Sequence, residues 1–279
     1  MILPNPEREW ARSAPTDARG AVEARLGPVE GALEVLAGGQ ASLCVGIGDK
    51  VLRVVRTPAT LDLEEALTTL AWGFFRSPRL MGRGDDWLLL ERVPHEPLRS
   101  EHGTAVGAAL AEIHAQSFAT CGWLDGTLRV CEPQVDFGAA LVEHAGSLEL
   151  EPALGQRVVE HLEAHARELG PARLLHGDFK LSNVHASGDT VLVLDWEYAY
   201  AGPALMDVGQ LMRWDVPEGF VDAFERSYRA HGGELPAGWL PQARALDAVN
   251  LAALLARSDS GTARERDLRT RLEETLRRS

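Results

Sequence analysis

Between Leu174 and Glu197 the chain reads LLHGDFKLSNVHASGDTVLVLDWE, and three of its side chains, Asp178, Asn183 and Asp195, stand at offsets that chemistry can use. Metal-assisted phosphoryl transfer requires a carboxylate at the attacking hydroxyl and oxygen ligands that hold Mg²⁺ against the leaving phosphates. Asp178 suits the first task, and Asn183 and Asp195 suit the second. Val184 to Ala186 and Val191 to Leu194 read as short strands around the turn Ser187-Gly188-Asp189, so the hairpin folds Asp195 back towards Asn183. Lys180 is one of only two lysines, with Lys50, in an arginine-rich chain, which suggests that a compact ammonium is wanted there.

The stretch resembles the catalytic loop and metal-binding strand of the protein-kinase-like fold, with HGDFKLSN for H-R-D-x-x-x-x-N and DWE for D-F-G. Gly177 in the arginine position, and Trp196-Glu197 after the aspartate, resemble the aminoglycoside phosphotransferase and choline kinase branch, whose members phosphorylate small molecules. The resemblance implies an α+β, protein-kinase-like two-lobed fold. A small antiparallel-sheet N-lobe would span residues 1–93, with 1–30 a helical extension, and a larger helical C-lobe would span 94–279 and carry the catalytic loop and substrate site. It implies ATP or GTP with Mg²⁺, Asp178 and Lys180 as catalytic residues, and Asn183 and Asp195 as metal ligands. Lys180 would neutralise the γ-phosphate, Glu197 would bind metal indirectly or face the substrate, and Asp207, read first as a helix cap, would also tie down the catalytic loop. His176 reads as a loop-packing residue, since Asp178 already occupies the hydroxyl-facing position.

The preceding elements must position a nucleotide. From Gly31 the pattern is ALEVLA, the loop Gly38-Gly39-Gln40-Ala41-Ser42, LCVGI, a turn and VLRVV. Two strands around a glycine pair let backbone amides approach a phosphate, which makes Gly38, Gly39, Gln40 and Ser42 nucleotide-binding candidates. Arg53 stands where the resemblance calls for the third-strand lysine, and a guanidinium can contact both phosphate and a helix carboxylate. The alternative for Arg53 is a surface charge on an edge strand. A helix at 60–74 places Leu63, Leu67, Leu70 and Phe74 on one face and offers Glu64 or Glu65 to Arg53, with Glu65 preferred. Glu91 to Val93, before Pro94, resembles the inter-lobe hinge whose backbone groups hydrogen-bond adenine.

Beyond His95 the periodicity predicts helices at 104–118, 137–146, 152–169, 218–231, 242–257 and 262–278. His114 falls among packed residues, and His161 and His165 fall on a polar helix face. Residues 119–136 and 198–203 read as irregular.

Composition narrows the partners. With 28 basic against 41 acidic side chains and a net charge of −13, nothing suggests nucleic acid. Three cysteines at no metal-ligand spacing read as reduced packing thiols in a cytoplasmic protein, and no signal peptide or membrane-length apolar run is visible. No A-P-E follows DWE, so a small alcohol is the expected acceptor rather than a protein. Asp136, Glu143, Asp215, Glu218 and Asp222 could focus a negative field on a cationic ligand, which favours an aminoglycoside-type or basic peptide antibiotic and a resistance role. The alternatives are a metabolic kinase for choline, homoserine or a methylthio-sugar, and a non-catalytic nucleotide-binding relative. Oligomeric state stays open.

Overall fold

Alternation along two neighbouring strands divides the N-terminal sheet into two chemically different faces. In the computed structural model, residues 17–36, 42–55, 60–167, 169–213 and 216–278 are described. Helix α1 (Ala18–Leu26) ends at Gly27, where φ is +78°. Strands β1 (Glu34–Val35), β2 (Ser42–Ile47) and β3 (Lys50–Val55) follow. Helix α2 (Leu61–Thr69) comes next, then β4 (Phe75–Arg76), β5 (Leu80–Arg83) and β6 (Trp87–Glu91). Five of the strands form an antiparallel sheet in the order β1-β2-β3-β6-β5. Val45, Leu52 and Val54 pack against Val22 of α1 on one face. Because successive strand residues point to opposite faces, Arg53 shares the other face with Val55, which clusters with Leu61 of α2 and Leu88.

The remaining chain is mainly helical: α3 (Gly103–His114), α4 (Phe137–Gly146), α5 (Pro152–His165), α6 (Leu205–Leu211), α7 (Phe220–Ala230), α8 (Trp239–Arg257) and α9 (Ala263–Arg278). Two small sheets are set among these helices. Strands β7 (Cys121–Leu124), β8 (Val130–Gln134), β9 (Ala172–Leu175) and β12 (Tyr200–Pro203) make the order β8-β7-β12-β9, which underlies the segment leading to His176. The hairpin β10 (Val184–Ser187) and β11 (Thr190–Val193) is joined by β4, which runs parallel to β11. An antiparallel N-terminal sheet followed by a helical C-terminal region is the expected α+β fold. Among the described residues, no helix is long and apolar enough to cross a membrane.

Several boundaries need correction. Helix α2 stops at Thr69, and Leu70 and Phe74 are exposed rather than continuing its apolar face. Residues 121–124 and 130–134 are strands, not irregular chain, and so are 200–203. These runs are short, and Pro133 lies in β8, which is the edge strand where a missing N–H is tolerated. Residues 152–169 form helix only as far as His165, and His161 is buried with its ring on the Ala245 carbonyl rather than on a polar face.

Helix α3 meets α7 through two glycines. A Cβ on Gly107 would lie 2.5 Å from the Phe224 carbonyl oxygen and 2.9 Å from the Tyr228 nitrogen, so the backbones touch where no side chain fits. We expect Gly107→Ala to cost about 1–3 kcal/mol through overpacking. Gly155→Ala in α5, whose new methyl meets only Leu150 Cβ at 3.8 Å, should gain about 0.5–1 kcal/mol from reduced unfolded-state freedom. Urea midpoints of the two variants check the opposite signs.

Candidate active site

Strand β9 delivers the chain to His176, and a buried carboxylate then takes over the backbone. Asp207, fully buried in the first turn of α6, accepts hydrogen bonds from the amides of His176 (2.7 Å) and Gly177 (2.9 Å). The cap position of that helix is Ala204, and the bonds of Asp207 go to the loop instead. Gln210, one turn later, donates from Nε2 to the Gly177 carbonyl at 2.8 Å. Gly177 has φ +78°, and a Cβ there would stand 2.0 Å from the Tyr198 carbonyl oxygen, so only glycine can occupy the position. The His176 ring bonds to the Leu194 carbonyl at 2.7 Å, which ties the loop to the residue before Asp195 and bears out its packing role.

The hairpin does what its spacing predicts. Val184 pairs with Val193, and the Leu194 amide donates to the Asn183 carbonyl at 2.9 Å, which sets Asn183 beside the end of β11. Asp195 then adopts φ +63°, a left-handed conformation that a non-glycine residue holds only where its surroundings enforce it. Asn183 donates from Nδ2 to Asp178 Oδ2 (2.8 Å) and to the Asp178 carbonyl (3.0 Å). Its amide oxygen therefore points elsewhere, with only a long contact of 3.4 Å from the Ser182 hydroxyl. Lys180 Nζ is 2.8 Å from the same Asp178 oxygen.

Above this set lies a buried charge cluster. The Arg53 guanidinium, 2% exposed, contacts Glu64, Glu197 (2.8 Å) and Asp195 (3.4 Å). Three carboxylates thus share one cation. Burial pushes the Glu64 carboxyl up to about 7 against the pull of Arg53, and burial raises Glu197 as well. Glu64 Oε2 and two guanidinium nitrogens of Arg53 lack hydrogen bonds although buried, so the contacts with Glu197 and Asp195 are charge pairings without good alignment. Excess negative charge and hard oxygen donors at Asn183, Asp195 and Glu197 suit Mg²⁺, which takes one or two carboxylates and completes its shell with phosphate and water. Among the described residues, no group of three or more His, Cys, Asp or Glu converges as a self-sufficient metal site.

The preferred partner of Arg53 needs correction. Glu64, buried on the sheet-facing side of α2, meets Arg53, whereas Glu65 faces outward to Arg83. Arg53 is accordingly no surface charge. Glu91 binds Arg76 through its side chain (2.6 Å), and its amide donates to the Arg79 carbonyl. Val93 is buried, and its carbonyl meets the His95 ring at 2.8 Å. Ser42 is buried at the start of β2 with its hydroxyl 3.7 Å from Cys44 Sγ, and burial raises that thiol to about 11. Gly38, Gly39 and Gln40 lie outside the described residues, as does Asp215.

The acidic residues proposed to face a ligand are dispersed. Asp136 caps α4 by accepting from the Ala139 amide, and Glu143, Glu218 and Asp222 are exposed. Helix α4 packs on α5 and α8, whereas α7 packs on α3, so these side chains build no common wall. Sequence reasoning missed the recess beside Gly177, lined by Trp123, Phe137, His144, Tyr198, Tyr200 and Gln210 among others. Its residues come from six separate segments, and only the aromatic character of the short strands could have pointed to it.

Two substitutions separate the neighbouring glutamates. Glu64→Ala leaves a buried guanidinium short of its nearest partner and should cost ~3–5 kcal/mol. Glu65→Ala breaks a partly exposed pair and should cost less than ~1 kcal/mol. Because Glu64 rises from 4.5 to about 7 on folding, the native state binds the extra proton between those values. Its contribution to stability therefore falls as pH rises through that window, and Glu64→Gln should remove this slope from a denaturation series run between pH 4.5 and 7.5.

Comparison with known proteins sets this geometry in a family. A thermostable mutant of the aminoglycoside phosphotransferase APH(4)-Ia, solved with ADP and hygromycin B, is 17% identical, with 95% of this chain and 99% of that one covered at a TM-score of 0.69. A choline/ethanolamine kinase family protein of Mesorhizobium loti is 17% identical over 93% of each chain, with a TM-score of 0.66. The macrolide 2'-phosphotransferase of Brachybacterium faecium is 18% identical over 90% of this chain and 95% of that one, at 0.63. No curated protein matches in sequence. At these identities the structures establish the fold; the family model described as the phosphotransferase enzyme family (APH) matches residues 43–270, and the chain belongs to that family.

Proposed function

We propose that this phosphotransferase moves the γ-phosphoryl group of ATP to a hydroxyl of a small molecule, with Mg²⁺ held by Asn183 and Asp195. The observation that carries the reading is the Asn183 amide. By donating twice to Asp178 it holds the carboxylate in place and turns its own oxygen outward, so the hydroxyl-facing acid and the cation ligand are oriented by one group. Asp178 accepts the hydrogen bond of the acceptor hydroxyl and aims its oxygen at phosphorus. Lys180, already on Asp178, supplies a positive charge beside the transferring group. Bound Mg²⁺ would neutralise charge on the phosphates. Arg53 spans Glu64, Asp195 and Glu197, taking the place of the family's lysine, and the backbone of Glu91 and Val93 would meet the base. We place Gly38, Gly39, Gln40 and Ser42 around the phosphates, GTP being the alternative nucleotide. Residues 1–93 and 94–279 act as the two lobes that close on it.

Two readings of the acceptor have separate support. The net charge of −13 favours a cationic compound, as does the hygromycin B held by one relative, and that reading makes the protein an antibiotic-resistance enzyme. The recesses reached by the catalytic loop favour a less charged alcohol. The one at Gly177 is largely aromatic, and the one at Lys180 carries Arg213 and Arg264 with Asp267. Asp267 pairs with Arg271 at 3.3 Å, which leaves little negative charge for an ammonium. Contacts within the recess act at shorter range than the ~8 Å over which salt screens the overall field, so we favour the metabolic alcohol. Three unpaired cysteines fit a cytoplasmic location.

Coupled ADP release over aminoglycosides, macrolides, choline and neutral ring-bearing alcohols tests the proposal. Asp178→Asn should lower kcat by ~10²–10⁴ with MgATP still bound, and Asp195→Ala should abolish Mg²⁺-dependent nucleotide binding in calorimetry. Turnover retained by the Asp178→Ala, Asp195→Ala double variant would show the site to be elsewhere.

A further inference from the structure

A cavity of about 460 Å³ lies between the loop before β9, the start of α6 and the loop after α7. Its volume falls within the roughly 300–1,000 Å³ usual for small-molecule sites, and none of the residues assigned to nucleotide, metal or phosphoryl transfer lines it. Its wall is held in place. Gly233 has no side chain where a Cβ would stand 2.2 Å from Tyr228 Cε1, and its amide donates to the Tyr228 carbonyl at 2.8 Å. Arg229 in α7 donates from Nη1 to the Leu235 carbonyl, also at 2.8 Å. The loop after α7 is thus pinned to its own helix rather than folded into the space beside it.

One charge in this cavity is unanswered. Of the arginines that are partly or wholly buried, Arg25, Arg53, Arg213, Arg269 and Arg271 each meet a carboxylate, and Arg244 donates to the Met212 carbonyl. Arg173 of β9 is half-buried and lines the cavity, yet its side chain makes no hydrogen bond or ion pair among the described residues. Its guanidinium nitrogens are not sealed from the cavity either. A partly desolvated cation without a partner is costly, and an oxyanion from outside would relieve it through charge-assisted hydrogen bonds. Arg167, exposed, adds a second positive charge, and Glu234, also exposed, is the one acid among the described lining residues. Leu169, Leu205 and Leu235 supply apolar surface beside them.

Tyr228 is the lining residue that leads from this cavity to the active site. The charges of Arg173 and Glu234 both act on its hydroxyl, which meets His114 Nδ1 at 2.6 Å. With that ring neutral, Nε2–H donates to Asp207 at 3.3 Å and Nδ1 accepts from the hydroxyl. Asp207 in turn holds the amides of His176 and Gly177. An anion on Arg173 offsets the positive charge beside the hydroxyl, makes it a weaker donor to His114, and so alters the hold of His114 on Asp207.

We propose that this cavity is an effector site for a small amphipathic carboxylate. The head group pairs with Arg173, the apolar stem lies on Leu169, Leu205 and Leu235, and occupancy is passed to the catalytic loop through Tyr228, His114 and Asp207. The site shares no lining residue with the nucleotide site, so both can be filled together, and it does not depend on which alcohol is phosphorylated.

Phenylacetate is the probe and phenylacetamide its uncharged counterpart, each added to the full-length protein carrying ¹⁵N-labelled glycine, with and without MgADP. Calorimetry should find one site for phenylacetate in both conditions, and phenylacetamide should bind roughly tenfold more weakly, the equivalent of one charge-assisted pair. The Gly177 amide resonance should move as the site fills. Arg173→Gln should abolish phenylacetate binding with little change in Tm, since the guanidinium has no partner to lose. Glu234→Gln, at an exposed position, should tighten binding a few-fold, and it keeps the test decisive should Arg173→Gln fail to fold. Tyr228→Phe should retain binding and silence the Gly177 response. The inference is overturned if acid and amide bind alike, if Arg173→Gln still binds phenylacetate, if Glu234→Gln leaves its affinity unchanged, if MgADP expels it, or if Gly177 stays unmoved at saturation.

Discussion

A carboxylate with no exposure to water, Asp207, fixes the geometry on which the site depends. Burying an ion is costly unless its lone pairs are fully used, and here they are taken by two backbone amides and by the His114 ring at 3.3 Å. His114 in turn bonds through Nδ1 to the Tyr228 hydroxyl at 2.6 Å, so helices α3, α6 and α7 all lead to the turn at His176-Gly177. Because both amides must point down at Asp207, the chain has one way to leave the turn. That direction carries Asp178 upward, and Gly177 takes the positive φ that makes it possible.

The buried charges on the other side of the site follow a different logic. Arg53 reaches its position by strand alternation, which places it on the face shared with Val55 instead of the wholly apolar face of Leu52 and Val54. Three acids then converge from α2, the end of β11 and the turn after it. Burial is the main reason that Glu64 and Glu197 hold a proton more readily than usual, and the neighbouring carboxylates add to it, while Asp195 keeps one side towards water. Under the proposed function, a divalent cation held by Asn183 and Asp195 would add the positive charge that the cluster lacks.

Local pattern revealed the parts of this molecule that local chemistry controls. The hairpin from Val184 to Val193 was legible because a glycine turn between apolar runs leaves few alternatives, and with it came the bond from the Leu194 amide to Asn183, one residue before Asp195. The long helices were legible from their apolar spacing. Strands β7, β8 and β12 were not, since four or five residues with mixed polarity carry no reliable period and owe their form to pairing with partners far along the chain. The choice between Glu64 and Glu65 failed for a related reason. Adjacent helix positions differ by about 100° in direction, and only the docking of α2 on the sheet decides which one faces Arg53.

The short parallel pairing of Phe75 and Arg76 with Val191 and Leu192 carries an implication for motion. It sews a segment from the sheet region onto the hairpin that bears Asp195, and Trp72 and Phe75 add stacking against Trp196 beneath it. Any rocking of the five-stranded sheet must therefore leave β4 behind with the helices. The chain then crosses between the sheet and the anchored segment three times, between β3 and β4, at 77–79 before β5, and at 92–95 after β6. A rotation about those three links would separate Arg53 from Asp195 and Glu197, so the charge cluster is itself the latch between the sheet and the hairpin.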